Sequence, residues 1–492
     1  MRGIPHIDDG FLGQLVSHGA GHREAADSRV KNPNRQVIHE GQPTRCVSRA
    51  GFPEANRYTC AVIASSALLT DRYELTMVDA ALTAGTAHRR CVFEVFTRRL
   101  SGARRYGVVA GTGRLLDLVE RFRFDDAELT WLRDNSVVSG HTLDWLANYR
   151  FTGTISGYPE GEVFFPGSPV LTVEGGFAEC VLLETLALSV LNYDSAVATA
   201  ASRMVNAAGN RPVTEMGSRR AGEHSAVAAA RAAYIAGFAA TSNLEAGRRW
   251  AVPTMGTAAH AFTLLHDSEE EAFRAQINTL GTDTTLLVDT YDIPTAVETA
   301  IRVAGPGLGA VRIDSGDLPV VVAQVRAQLD SLGARDTRIT VTNDLDEHAV
   351  AALAASPVDS YGVGTSVVVG SGSPTMGMVY KLVAHTNDAG EWISVAKKSV
   401  DKASVGGRKQ AYRSLDAWGT ARSEIVALDA HQMPGERALL VPLLVQGEID
   451  EQFRGAAGVQ RAREQHASSV AELPAEAMRL TRGDPVLPTV YR

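Results

Sequence analysis

EMGSRR (215–220), TSNLEAG (241–247), MGTAAH (255–260), DTYD (289–292), RIDSGD (312–317), TNDLDE (342–347) and GVGTS (362–366) decide the fold of this chain. Each closes a short apolar run with a burst of polar, charged or glycine residues, and a helical stretch follows. Strands that alternate with helices in this way build parallel sheets, whose carboxyl ends all face one side. In a β/α barrel, the functional groups come from the ends of several different strands on that one face. Residues 206–384 are therefore predicted to form an irregular, TIM-like β/α barrel with its chemistry at the strand ends.

The rhythm changes on either side of this region. The stretch 61–85 is amphipathic, with Tyr73, Met77, Ala80 and Leu82 among its apolar positions, and Thr70 or Asp71 is placed to cap the helix that follows. VFEVFTRRL (92–100) alternates like a strand. Residues 151–176 carry the glycines and prolines of hairpins, and 178–208 read as a long helix. Ala226–Ala240, which contains Arg231, reads as a buried alanine-rich helix. EWISVAKKS (391–399) and GGRKQAYR (406–413) read as strands returning to the first domain, and a charged helix is expected near 457–471. The fold class is thus α/β: an N-terminal α/β sandwich-like domain (61–205, completed by about 385–440), the barrel (206–384) and a C-terminal helical segment (441–492). Residues 1–60 are polar and lack periodicity, and are predicted to be a disordered extension. Their four histidines, His6, His18, His22 and His39, match no metal-ligand spacing.

Composition narrows the function. The chain has 492 residues, 45% hydrophobic and 21% charged, with a net charge of −8. A large core is available, and the basic footprint of a nucleic-acid binder is absent. Cys46, Cys60, Cys91 and Cys180 form no C-x-x-C pair. This argues against a zinc ribbon or disulfide scaffold and fits a reducing cytoplasm. No uninterrupted apolar run is long enough to span a bilayer, and MRGIPHIDDG is no secretory signal.

The strand ends carry the chemistry. His260 lies three residues after Thr257, behind a predicted strand. A histidine there can be a nucleophile, a general base or a ligand. A hydrogen-bonded structural histidine is the plainer alternative, and it suits His266. In RIDSGDL, Arg312 can clamp a carboxylate or phosphate, and Asp314 and Asp317 can hold Mg²⁺ or a ribose hydroxyl. Ser315 and Gly316 can offer backbone N–H groups to phosphate. The plain alternative is a turn capped by Asp317. Gly364 and Thr365 leave backbone open to an anion. Arg219 and Arg220 are either a phosphate-binding pair or half of a salt-bridge network with Glu215 and Glu223. Asp289 and Asp292 can orient His260 or hold a metal. Together these groups point to anionic, phosphate-bearing ligands.

The same strings, with TDRYELTM, FEVFTRR, GSPVLTVEG, LLETLALSVLNY, VYKLV and GRKQAYR, follow one another in the order seen in nicotinate phosphoribosyltransferases. The chain resembles that family, its shorter actinobacterial type most, from about residue 68 to 480. The resemblance implies that nicotinate and phosphoribosyl pyrophosphate give nicotinate mononucleotide and pyrophosphate, driven by ATP through a phosphohistidine at His260, with Mg²⁺ present. It implies that Tyr73 borders the nicotinate ring from a partner subunit of a homodimer, and that Thr257 and Arg312 meet the nicotinate carboxylate. Arg219, Ser315, Gly316, Gly364 and Thr365 are implied at the phosphoribosyl pyrophosphate, Asp314 at the ribose or its metal, and Asp289 beside them. Nicotinamide-using relatives carry an aspartate near Ser242, which would repel nicotinate, so serine implies the acid as substrate.

This sequence departs from the family pattern at Gly406, where proline is usual, and in the Gly/Ser-rich VVVGSGSP (367–374). Transfer to nicotinamide or quinolinate, and a non-catalytic phosphometabolite-binding barrel, are the alternatives. Ser242, the GTAAH histidine and the intact charged groups argue against each in turn. A Schiff-base aldolase would need a strand-end lysine, and none of the strings quoted in the first paragraph has one.

Overall fold

The computed structural model describes residues 65–397, 404–428 and 431–492. The 1–60 extension lies outside them, as do Lys398 and Ser399 of EWISVAKKS.

The barrel region forms a six-stranded sheet, in the order Ala240–Thr241, Val213–Glu215, Ser360–Val363, Arg338–Val341, Ala310–Ile313, Thr285–Leu287. Every neighbouring pair is parallel. The strands are short and buried, as parallel strands covered by helices on a face must be. Val311, Ile313, Ile339, Val341 and Val363 sit in one core with the helix residues Val297, Val322 and Val325. The sheet curls as a half-barrel, with Ala240–Thr241 and Thr285–Leu287 at its edges. The strand expected before MGTAAH is reduced to one parallel bridge, Thr241 to Thr254. Pro253, which cannot donate to a ladder, and Gly256 flank that bridge and keep 251–259 irregular.

The second sheet has seven strands, ordered Trp392–Ser394, Met378–Thr386, Arg90–Thr97, Leu171–Gly176, Thr154–Gly157, Val441–Val445, Glu448–Ile449. All its pairs are antiparallel. The first strand to return after the barrel therefore begins at Met378, inside the stretch expected to be barrel. Val441–Val445, Glu448–Ile449 and Thr489–Tyr491 place strands in the expected helical C-terminal segment, beside the helix Gly455–Ala471. Along Arg90–Thr97 all but Arg90 are buried, so the alternation does not separate a wet face from a dry one. Its polar position Glu94 is covered because Lys409 Nζ donates to it at 2.7 Å.

GRKQAYR does not join this sheet. Gln410–Leu415 pairs with Glu436–Ala438 and Ala421–Ala427, and Thr489–Tyr491 completes a separate four-stranded sheet. Side-chain charges fasten it to the 158–168 segment. Arg413 is fully buried and donates to the Val163 carbonyl at 2.8 Å, and Arg437 donates to the buried Glu162 at 2.8 Å.

Helix Arg72–Thr83 follows Asp71 at its N-cap. The 178–208 stretch is two helices, Phe177–Val181 and Glu184–Ala208. By length and composition this run could cross a membrane, contrary to the expectation from sequence, but 67% of its most apolar window is buried inside the fold. Its buried charges are paired, Asp194 with Arg114 and Arg203 with Glu347, as a core helix requires. Glu223–Ile235 is the expected buried alanine-rich helix, and Arg231 forms a buried ion pair with Glu160.

Candidate active site

The strand ends enclose a cavity of about 520 Å³. Arg219, Ser242, Thr257, Arg312, Asp314, Gly364 and Thr365 all line it. Residues some 145 positions apart in sequence thus meet because parallel strands bring their carboxyl ends to one mouth.

Glu215 organises the first strand end. It is fully buried and accepts from Thr241 Oγ1 at 2.5 Å and from the Gly217 amide. Burial raises its pKa, opposed by these two hydrogen bonds. Gly217 is obligatory here: a Cβ would collide with Val368 and with the Gly364 carbonyl. The Ser218–Arg220 turn and the Gly364–Val368 turn are in contact at that point. Among the described residues neither Arg219 nor Arg220 is in an ion pair, so the salt-bridge reading of SRR is not realised, and both cations face the cavity.

Arg312 sits on the strand Ala310–Ile313. Its Nη1 donates to Thr257 Oγ1 at 2.7 Å and to the Ala258 carbonyl at 3.2 Å. Burial lowers its pKa, with Asp314 and Asp289 opposing and Arg219 adding to the depression. Arg312 Nε is buried without a partner. Arg312 Nη2 lies 4.0 Å from Asp314 Oδ2, a long ion pair that leaves donor capacity on the guanidinium for a bound anion.

His260 opens the helix His260–Leu265 at the rim. Its Nδ1 lies 3.2 Å from Thr290 Oγ1. Its Nε2 lies 3.8 Å from Asp289 Oδ1 and 4.0 Å from Asp314 Oδ2. The Asp289 side chain is 1% exposed. Its Oδ2 accepts from the Asp314 amide at 2.9 Å and Ser315 Oγ at 2.7 Å, while Oδ1 has no hydrogen-bond partner. Asp314 Oδ1 accepts from Thr342 Oγ1 at 2.7 Å. Asp289 Oδ1 and Asp314 Oδ2 therefore lie beside one imidazole nitrogen without a hydrogen bond, and Asp314 Oδ2 is also 4.0 Å from Arg312 Nη2. They fit Mg²⁺, which is commonly held by one or two carboxylates and completed by water and substrate phosphates. Among the described residues no group of three or more His, Cys, Asp or Glu side chains forms a protein-only cage.

Other predicted residues lie elsewhere. Ser315 and Gly316 are exposed on the rim, and the Ser315 hydroxyl is committed to Asp289. Asp292 is an N-cap: it accepts from Thr295 N at 3.0 Å and Thr295 Oγ1 at 2.6 Å, and so does not orient His260. Asp317 occupies the N-cap of Leu318–Ser331 without a side-chain capping bond. His266 is structural, its Nδ1 2.8 Å from the Phe262 carbonyl. Tyr73 stands on Arg72–Thr83, 47% exposed and outside this cavity. Burial, with Glu184 next, pushes its phenol up to about 12. Sequence reasoning passed over Glu215, Thr290 and Thr342 as site residues. Each lies inside a quoted string, but its role depends on a contact between two strand ends.

A curled parallel sheet with the cations Arg219 and Arg220, two carboxylates and a histidine at its carboxyl ends defines an α/β half-barrel protein whose site suits phosphate-bearing ligands. A nicotinate phosphoribosyltransferase N-terminal domain model matches residues 68–192. Nicotinate phosphoribosyltransferase pncB1 of Mycobacterium tuberculosis is 54% identical over 434 residues, covering 86% of this chain and 94% of that protein. The Bacillus subtilis nicotinate phosphoribosyltransferase is 36% identical over 72% of this chain and 74% of that one. The crystal structure of human nicotinic acid phosphoribosyltransferase superposes with a TM-score of 0.73 at 26% identity, covering 86% of this chain and 97% of that chain. The chain belongs to the nicotinate phosphoribosyltransferase family.

Proposed function

We propose that this chain joins nicotinate to the phosphoribosyl group of phosphoribosyl pyrophosphate, coupled to ATP hydrolysis through phosphorylation of His260. The observation that carries the reading is the convergence of unpaired Arg219 and Arg220, half-used Arg312 and the Gly364–Thr365 turn on one cavity. Such a site receives a polyanion and a carboxylate together.

In the proposed sequence a neutral His260 nitrogen attacks the γ-phosphorus of ATP. The bond to the β–γ bridging oxygen breaks and ADP leaves. Thr290 holds the ring in place, and Asp289 and Asp314 would hold Mg²⁺, which neutralises phosphate charge when bound. The pyridine nitrogen of nicotinate then forms a bond to C1 of phosphoribosyl pyrophosphate, whose pyrophosphate departs. Water finally cleaves the phosphohistidine to phosphate. Arg312, braced by Thr257, takes the nicotinate carboxylate, and Ser242 leaves it unopposed by charge. Ser315 and Gly316 are assigned to the same phosphoribosyl pyrophosphate from the rim. Tyr73 contributes from the partner subunit of a homodimer. The same reading assigns the protein to the cytoplasm and its reaction to pyridine nucleotide salvage.

The test is mononucleotide formation from nicotinate, nicotinamide or quinolinate with phosphoribosyl pyrophosphate, with and without ATP, in the parent and His260→Ala. Product from nicotinate, stimulated by ATP only in the parent, is the expected result. Product from nicotinamide or quinolinate instead would refute the substrate assignment. Equal ATP stimulation in His260→Ala would remove the histidine from the mechanism.

A further inference from the structure

Behind the Gly364–Val368 turn lies a second cavity of about 530 Å³, with Thr365 as a shared wall. Glu347 lines it, and Arg203 and Arg104 are buried behind its wall residues, all three at most 6% exposed. Arg203 Nε donates to Glu347 Oε1 at 3.2 Å, and its Nη1 and Nη2 donate to the Ala103 and Leu480 carbonyls at 2.9 and 3.1 Å. Glu347 Oε2 accepts from Ser371 Oγ at 2.7 Å. Arg104 Nη2 donates to the carbonyls of Gly370 and Ser373 at 3.0 and 2.6 Å, and its Nη1 to that of Thr375 at 3.1 Å. The turn that follows Thr365 is thus gripped from the rear along its length.

The turn needs such a grip. Gly370, Ser371 and Gly372 have φ of +58°, +52° and +80°, three successive left-handed residues. Serine carries a Cβ and reaches this region at a cost, so it persists where the surroundings over-determine it. Here the Ser371 amide donates to the Ser366 carbonyl at 2.7 Å and the hydroxyl to Glu347. Ser366 adjoins Thr365, so the restraint reaches the cavity wall through one residue.

We infer that Glu347 is a positioning residue: acting through Ser371 and Arg203, it sets the Thr365 turn in the form that receives phosphoribosyl pyrophosphate. The inference rests on the proposed reading of Gly364–Thr365 as a phosphate cradle. Glu347 lines only the rear cavity, so its effect on affinity is indirect.

Removing a buried charge can unfold the region, so Glu347→Gln is paired with Ser371→Ala and Ser371→Gly. Alanine removes only the hydroxyl but keeps a Cβ in the left-handed turn, and glycine removes the whole side chain while tolerating that turn. Kinetics with both substrates and calorimetric titration with phosphoribosyl pyrophosphate alone are measured for each. Losing a hydrogen bond to a charged group predicts about a tenfold rise in KM and Kd for phosphoribosyl pyrophosphate in both Ser371 variants, with KM for nicotinate unchanged. Ser371→Gly with parental affinity, or effects confined to Tm and kcat, would overturn the inference. If the parent forms no mononucleotide, the functional reading fails, and the calorimetry still decides the positioning role. A parent that does not bind phosphoribosyl pyrophosphate overturns both.

Discussion

His260 takes its setting from residues outside its own string. Thr290 meets one ring nitrogen, and Asp289 and Asp314 approach the other. If Thr290 fixes the ring for attack on ATP, Thr290→Val lowers ATP stimulation about tenfold while the calorimetric affinity for phosphoribosyl pyrophosphate stays parental. An unchanged ATP response would remove Thr290 from that role. Ser242 tests the choice of substrate. Ser242→Asp places a carboxylate on the cavity wall, so KM for nicotinate is expected to rise at least about tenfold and discrimination against nicotinamide to shrink. Steady-state kinetics with both bases checks this. His260, Arg312 and Asp314 were legible in the sequence because their chemical types are rare together in short strings at strand ends. Thr342 and Glu215 were not, because a threonine or a buried glutamate gains its role only from a neighbour on another strand.

Elements were legible where local periodicity decides them. The amphipathic Arg72–Thr83, the Glu184–Ala208 helix and the parallel strands ending at Glu215, Ile313, Val341 and Val363 follow from pattern. The strand before MGTAAH failed because a proline and a glycine outweigh a short apolar run. The helix Gly455–Ala471 was readable as an element, but its docking was not. It buries His466, whose Nε2 lies 3.0 Å from Ser202 Oγ, and burial with the nearby Arg463 charge pushes the imidazole down to about 4. The unfolded chain takes up this proton near 6.5, so between about 6.5 and 4 the unfolded state binds more protons. Stability therefore falls with acidification across that window, by up to about 3 kcal/mol from this group. Chemical denaturation as a function of pH should show this slope, and His466→Gln should flatten it. An unchanged slope in the variant would mean other groups set the acid sensitivity.

At the scale of the whole molecule, a β/α region beside an N-terminal α/β region was visible in the sequence, but the expected barrel closes only as a half-barrel, and the four-stranded sheet was not foreseen. Gln410–Leu415 reads as a strand locally, but its partners include Thr489–Tyr491, and its anchor is the buried Arg413–Glu424–Glu162 cluster. Such long-range pairings leave no local pattern. Tyr73 poses the same problem between copies, because it stands outside the cavity of its own chain. If a partner subunit supplies it, Tyr73→Ala and His260→Ala are each impaired alone. Mixed after dissociation and reassociation, they should recover about a quarter of parental activity, since half the dimers are hybrids with one intact site each. No recovery in verified hybrids would place Tyr73 outside the partner's site. The strand-end cluster is proposed to work through phosphorylated His260. The most direct test is to incubate the protein with ATP labelled in the γ-phosphate and locate the label. One acid-labile phosphate is expected on His260, discharged as nicotinate mononucleotide forms when nicotinate and phosphoribosyl pyrophosphate are added. Absence of label, label on another residue, or a label indifferent to both substrates would contradict it.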